Sequence, residues 1–263
     1  MHPLDRDLAL ENVEPLHRRA PVTDEWSING NPNGGYLMAL LTAALLKVSG
    51  KCSTPVITAN YVSRCVPGAA DILVEEISSS GQFSRYSARL LQEGREKIRL
   101  LGTFAAAPLE CPVERYESTA PPAAPPDACI SLPALPRYTL YDRLDLRLDP
   151  VCAGWLQGRL SDVSEQRGWV SFREERSHDL LSLLLMADAF PPPVLASQGL
   201  TAWVPTLELS VNIRNYPQGN WIMGLFRTRF ITCGLLESDG ELWDGEGNLL
   251  GISRQIAQYR KSG

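Results

Sequence analysis

The strongest hydrophobic pattern along the chain opens polar and then turns apolar almost without a break: Asn33-Gly34-Gly35-Tyr36-Leu37-Met38-Ala39-Leu40-Leu41-Thr42-Ala43-Ala44-Leu45-Leu46. A helix that is apolar on every side is normally buried. Its length of about a dozen residues falls short of the ~20 needed to span a bilayer. Asn33 suits an N-cap, where its side-chain oxygen accepts from a free backbone N–H. Gly34 and Gly35 lack a Cβ and so let other groups come close to that end. Gly50 stands where a helix-ending glycine is expected. The pattern predicts a helix enclosed by a sheet, with an accessible, amide-rich start. A plain core helix with a flexible start fits the same periodicity.

Beyond this helix the chain reads as strands. Residues 56–62 are rich in β-branched and aromatic side chains, and 72–77, 83–91 and 98–106 continue the pattern. Turn signals at Val66-Pro67-Gly68 and Gln92-Glu93-Gly94-Arg95 punctuate them. Residues 108–136 then concentrate prolines at 108, 112, 121, 122, 125, 126, 133 and 136. Such density excludes helix and interior strand, so the span reads as a linker or wrapping segment.

The order then repeats. Residues 152–163 and 168–174 are strand-like, and Ser177 is placed as the N-cap of an apolar helix over 180–188, with Asp179 in its first turn. Pro191-Pro192-Pro193 ends that helix. Long strands are expected over 206–214, 221–233 and 249–259, with a turn at Gly245-Glu246-Gly247-Asn248. The expectation is an α+β unit used twice: an N-terminal repeat over 1–107, a proline-rich linker over 108–147 and a C-terminal repeat over 148–263.

The chain has 263 residues, a formal net charge of −5 and a pI near 5.3, with no long basic cluster. This argues against nucleic acid or an anionic membrane as the main partner. No stretch is long and apolar enough for a membrane helix, and the polar start Met1-His2-Pro3-Leu4-Asp5 reads as no secretory signal. The six cysteines, at 52, 65, 111, 129, 152 and 233, show no metal-ligand spacing, so reduced thiols in a cytoplasmic protein are expected, with no metal. The three histidines, His2, His17 and His178, leave little room for histidine-based catalysis. Nucleophile-elbow, P-loop and dinucleotide-binding motifs are absent, and no cofactor is expected.

Asp188 stands out because it ends the second apolar helix. The negative end of the helix dipole and partial desolvation both favour its neutral acid, which makes its carboxylate more basic and suits a general base. A solvated aspartate at a helix end fits the same position. Gln255 lies among apolar strand neighbours, where an amide needs partners. A solvated strand face explains it too. Thr206 opens a strand of ordinary composition.

At this point the chain resembles the acyl-CoA thioesterase II type, built as two fused hotdog folds. Asn33-Gly34-Gly35-Tyr36 with its helix resembles the first-repeat helix. Asn60-Tyr61-Val62-Ser63-Arg64-Cys65-Val66-Pro67-Gly68 and Gly81-Gln82-Phe83-Ser84-Arg85-Tyr86-Ser87-Ala88-Arg89 are similar to the next strands. Ala187-Asp188-Ala189-Phe190-Pro191, Thr206-Leu207-Glu208-Leu209-Ser210 and Ser253-Arg254-Gln255 resemble segments of the second repeat. The resemblance implies a double hotdog that hydrolyses an acyl-CoA through one water held by Asp188, Thr206 and Gln255. Asn33, Gly34, Gly35, Tyr36 and Tyr61 are expected to meet the substrate, with the Gly35 amide a candidate oxyanion donor. The chain departs from the family pattern at Glu208-Leu209, where an acidic-His pair is common, and in its rigid Pro191-Pro192-Pro193; both bear on substrate preference. A non-catalytic acyl-binding protein and a hydratase using His178 are the rival readings. Oligomerisation is expected from the sheet edges each repeat leaves open.

Overall fold

The computed structural model describes residues 1–51, 53–105, 115–200 and 202–261. Cys52, Cys111, Pro108, Pro112 and the end of the 98–106 strand lie outside the described residues. The remaining cysteines, Cys65, Cys129, Cys152 and Cys233, are free thiols.

The first apolar stretch forms helix α1, Gly34–Ser49. Asn33 caps it, accepting from the Tyr36 amide at 3.0 Å, and Gly50 ends it in the left-handed conformation at φ 63°. Residues 35–45 are all buried, as a helix with no polar face must be. The second apolar stretch forms helix α2, Leu180–Met186, which is shorter than expected and leaves Asp188 beyond its end. Its cap is Asp179, not Ser177. The Asp179 carboxylate accepts from the Ser182 amide and the Ser182 hydroxyl accepts from the Asp179 amide, both at 2.8 Å. This reciprocal pair satisfies two helix-end groups, where Ser177 would satisfy one.

Eleven long strands carry the sheet. They are β1 His17–Val22, β2 Ser53–Tyr61, β3 Gly68–Ser79, β4 Phe83–Gln92, β5 Arg95–Ala105, β6 Leu144–Leu148, β7 Ser164–Phe172, β8 Thr206–Ile213, β9 Ile222–Thr228, β10 Leu235–Trp243 and β11 Leu249–Gln258. The N-terminal half orders them β1-β3-β4-β5-β2, and the C-terminal half continues β8-β11-β10-β9-β7-β6. Each half places a strand that precedes its helix on the outer side and the strand that comes after it at the centre. The halves meet where β2 pairs antiparallel with β8, with Asn60 opposite Glu208 and Ile57 opposite Val211. The antiparallel sheets of the two repeats therefore join into one continuous 14-stranded sheet among the described residues. One open edge of each half is closed within the chain, which removes much of the sheet-edge reason for oligomerisation. The outer edges end in the short strands Glu11–Glu14 and Ile130–Ser131.

Several further elements differ from the sequence reading. Residues 221–233, expected as one strand, break after Thr228, and only Ile231–Thr232 resumes pairing, against β10. Residues 152–163, expected as strand, contain the 3-10 turn Ala153–Gln157, closed by Gly158 at φ 74°. β6 lies at the end of the span read as linker; it comes after the last proline of the run, Pro136, and alternates buried and half-buried residues against β7. β10 was hidden because its inward positions include Ser238 and Gly240, so the alternation is not one of apolar with polar.

The helices meet end to end in polarity. The start of α1 packs on the last turn of α2, where a Cβ on Gly35 would lie 2.6 Å from the Leu184 carbonyl oxygen. Only glycine permits that approach. It brings the donor-rich end of one helix to the acceptor-rich end of the other, beside Asp188.

Candidate functional site

Four segments converge below a cavity of about 920 Å³: the start of α1, the turn after α2, the first residue of β8 and the inner face of β11. The Gln255 side-chain amide donates to Asp188 Oδ1 at 2.9 Å and to Thr206 Oγ1 at 2.7 Å. The other carboxylate oxygen, Oδ2, accepts from Asn33 Nδ2 at 2.9 Å and from the Gly35 amide at 3.0 Å. Asn33 Nδ2 also donates to the Asp188 carbonyl at 2.8 Å. Asn33 thus serves twice, its oxygen capping α1 and its amide nitrogen fixing the acid.

Local structure explains each position. Gln255 faces inward opposite Leu209 in the β8–β11 ladder. A register shift between Thr206 and Glu208 breaks the ladder at the start of β8, the kind of irregularity that re-aims a side chain. Asp188 sits just past a helix end that leaves its carboxylate free to turn toward α1.

Burial pushes the Asp188 carboxyl up to about 6, against hydrogen bonds from Gly35, Gln255, Gly34 and Asn33 that favour the ionised form. Desolvation therefore outweighs four stabilising contacts. A carboxylate poised near neutrality, with one oxygen turned to Gln255 beside the Thr206 hydroxyl, can accept a proton from a water molecule. Both hydrogens of the Gln255 amide are committed, which leaves Thr206 Oγ1 one further lone pair for that water.

The sequence-derived candidates separate into two groups. Asp188, Thr206, Gln255, Asn33, Gly34 and Tyr61 line the cavity. The Tyr61 hydroxyl donates to the Gly34 carbonyl at 2.7 Å, tying β2 to the helix start. Gly35 and Tyr36 do not line it. The Gly35 amide is bonded to Asp188, so the expected oxyanion donor is already engaged. Tyr36 is fully buried on the opposite side, accepting from the Thr23 amide and donating to the Asp7 carbonyl, both at 3.3 Å. Periodicity cannot say which side of an all-apolar helix meets a cavity, and Tyr36 lies on the core side. His178 stands at the far end of α2, bonded to the Asn220 carbonyl and stacked on Phe172 at 5.5 Å.

Sequence reasoning missed several cavity residues. Arg64 and Arg260 line the mouth and, with Asp188, are the charged residues among the described lining. Phe190 and Phe226 pair at 5.0 Å between ring centroids. Ser238 and Ser253 face inward beside Gln255. Spacing of two from Gln255 was a signal for Ser253; nothing in the sequence marked Ser238. Among the described residues no cluster suited to a metal ion occurs, and no helix is long and apolar enough to cross a membrane.

A sheet that wraps two apolar helices end to end, with a carboxylate, a hydroxyl and an amide meeting beside a cavity, defines a double-hotdog protein. Residues 22–105 match the family model described as acyl-CoA thioesterase N-terminal domain, and residues 114–259 match that of the acyl-CoA thioesterase C-terminal domain. The chain belongs to the acyl-CoA thioesterase family. Among solved structures, a putative thioesterase II from Thermobifida fusca YX superposes with a TM-score of 0.90 at 23% identity, covering 99% of this chain and 98% of that one. A hot dog fold protein of unknown function from Alicyclobacillus acidocaldarius gives 0.91 at 17% identity, with full coverage of both chains. The acyl-CoA thioesterase II TesB2 from Mycobacterium marinum gives 0.78 at 16% identity over 99% of each. Among curated protein sequences none matches.

Proposed function

We propose that the chain hydrolyses acyl-CoA thioesters to free acid and CoA, using a water held by Asp188, Thr206 and Gln255. The observation that carries this reading is the Gln255 amide bridging Asp188 Oδ1 and Thr206 Oγ1 at the cavity floor. The water gives one hydrogen bond to Asp188 and one to Thr206, which leaves a lone pair for the thioester carbon. Its oxygen bonds to that carbon as its proton passes to Asp188. The tetrahedral intermediate then breaks its C–S bond, and the proton passes from Asp188 to the departing thiolate. Asn33 and the Gly35 amide hold Oδ2, so Oδ1 faces the water in one orientation.

The mouth supports the carrier. Arg64 and Arg260 place two guanidinium groups there with no described carboxylate opposing them, in a chain whose net charge is −5. Phosphates are the natural counterpart of such groups. Acyl binding without turnover is the second reading, and one experiment separates them. Purified protein is offered acyl-CoAs of several chain lengths with a thiol-reactive dye. Thiol release above that of Asp188→Ala supports hydrolysis. Thermal stabilisation by the same ligands without thiol release supports binding alone.

A further inference from the structure

Resting on the thioesterase reading, we propose that residues 133–137, at the end of the proline-rich run, are a lid on the cavity, latched shut by Gly30 and opened to admit substrate. The span read from sequence as a linker supplies part of the cavity wall: Leu132, Pro133, Leu135 and Tyr138 all line it.

The segment is fixed at both ends and nearly free between them. Before it, Ile130 and Ser131 pair with β6, and the Leu132 amide donates to the Leu146 carbonyl at 2.9 Å. After it, Thr139 Oγ1 accepts from the Ser27 amide at 3.0 Å and donates to the Asp24 carbonyl. Residues 133–137 themselves are all exposed. Among the described residues, two backbone hydrogen bonds reach them. The Leu135 carbonyl accepts from the Tyr138 amide at 3.1 Å, which only closes the turn on itself. The Arg137 carbonyl accepts from the Gly30 amide, also at 3.1 Å, and this bond ties the segment to the body. An exposed stretch held by so little opens at small cost.

The latch is built for its place. Asn29 and Gly30, at φ 51° and 69°, make the two-residue turn between Ser27–Ile28 and Asn31–Pro32. Left-handed conformation at both positions is what the tightest hairpins require. Arg64 Nη2 donates to the Gly30 carbonyl at 3.4 Å, and a Cβ on Gly30 would lie 2.6 Å from Arg137 Nη2, so the Arg137 guanidinium lies across the turn. Arg137 sits at φ 68°, a conformation that costs an L residue free energy. The closed position holds that strain and opening releases it. Three residues after Gly30 comes Asn33, whose side chain holds Asp188. The same hairpin therefore latches the lid and leads into the helix start that orients the acid. A lid closed over bound substrate shuts bulk water away from the reacting carbon.

Arg137 gives the lid its own reporter, because trypsin cuts after arginine where the chain can open. When opening is fast, the cleavage rate follows the open population. Cleavage after Arg137 is compared by mass spectrometry with cleavage after Arg95, exposed where β5 begins. Both are followed with and without S-decyl-CoA, a thioether that has no carbonyl to hydrolyse. Saturating ligand is expected to slow the Arg137 cut about tenfold relative to the Arg95 cut. Gly30→Ala, strained at its left-handed φ, is expected to speed the Arg137 cut about fivefold. Equal slowing at both sites is global protection and overturns the lid. So does a wild-type chain that is cut after Arg137 only on global unfolding, or a Gly30→Ala variant cut at the wild-type rate. Should Gly30→Ala fail to fold, the wild-type comparison decides the matter. A ligand that raises the melting temperature and leaves the Arg137 cut unchanged sinks this proposal alone. No thermal shift, no protection and no thiol release from acyl-CoA sink the thioesterase reading and the lid with it.

Discussion

The Gly35 backbone amide donates to Asp188 Oδ2 at 3.0 Å, although 153 residues separate the two. This bond joins the helix start of one half to the acid of the other. It holds because Gly35 brings α1 against the last turn of α2, 2.6 Å from carbonyl to the point a Cβ would occupy. The site is thus a product of helix packing, and its acid is oriented by backbone that cannot swing away.

Gly35→Ala is expected to push the two helices apart. Overpacking of this kind costs about 1–3 kcal/mol, and each kcal/mol lowers the melting temperature by roughly 2–4 °C at this size. Gly81→Ala, which meets open space without a positive φ, serves as the control and should melt as the wild type does. Thermal melts followed by circular dichroism check both. Equal melting of the two variants would mean that the helix contact is slack.

Asp188→Asn should remove the base and leave the fold. A general base contributes about 10²–10⁴-fold, so kcat should fall on that scale while the melting transition stays cooperative. The stability change has a sign fixed by the carboxyl's position near 6, above its ordinary 3.8. Between these values the folded state holds a proton that the unfolded chain has lost. The added stability of the neutral acid is complete below about 4 and lost as pH rises through about 6. The Asn amide sets its NH2 against a donor, a cost that does not vary with pH, so the stability of the Asn variant relative to wild type should rise as pH rises from 4 through 6. Urea unfolding at both ends of that range tests the sign.

The same carboxyl should govern the acid limb of the rate profile. With the base active only when ionised, kcat/KM is expected to rise through an apparent pKa of about 6 and flatten above it. A profile still flat well below that value would assign the proton transfer to another group.

How much of the fold and site is legible in the sequence depends on what each element shows to the core. α1 announces itself because residues 35–45 leave no polar face. Asp188 is legible from its place after an apolar helix. The cap of α2 falls two residues from its expected place because Ser182, the partner that makes Asp179 the better cap, lies inside the helix. β10 stays hidden because its inward Ser238 lines the cavity and its inward Gly240 makes room for Phe226 and Ser253, so neither position is a large apolar side chain. The bond from Asn33 to Asp188 cannot be read at all, since no local pattern records which helix ends meet.

Gln255→Glu tests the bridge most directly. The amide now gives one hydrogen to Asp188 Oδ1 at 2.9 Å and the other to Thr206 Oγ1 at 2.7 Å. An ionised glutamate there gives neither and sets a second negative charge beside the first. Two carboxylates that close cannot both ionise freely, so they share a proton and titrate as a pair. The acid limb should then move upward by about a unit or more. Gln255→Leu removes the same donors without adding charge, and should lower kcat while moving the limb less. Rate profiles of the two variants, measured with one acyl-CoA that the wild type hydrolyses, separate the loss of water positioning from the change in basicity. If the glutamate variant keeps the wild-type limb, then Asp188 does not set the pH dependence, and the bridge from Gln255 is structural only.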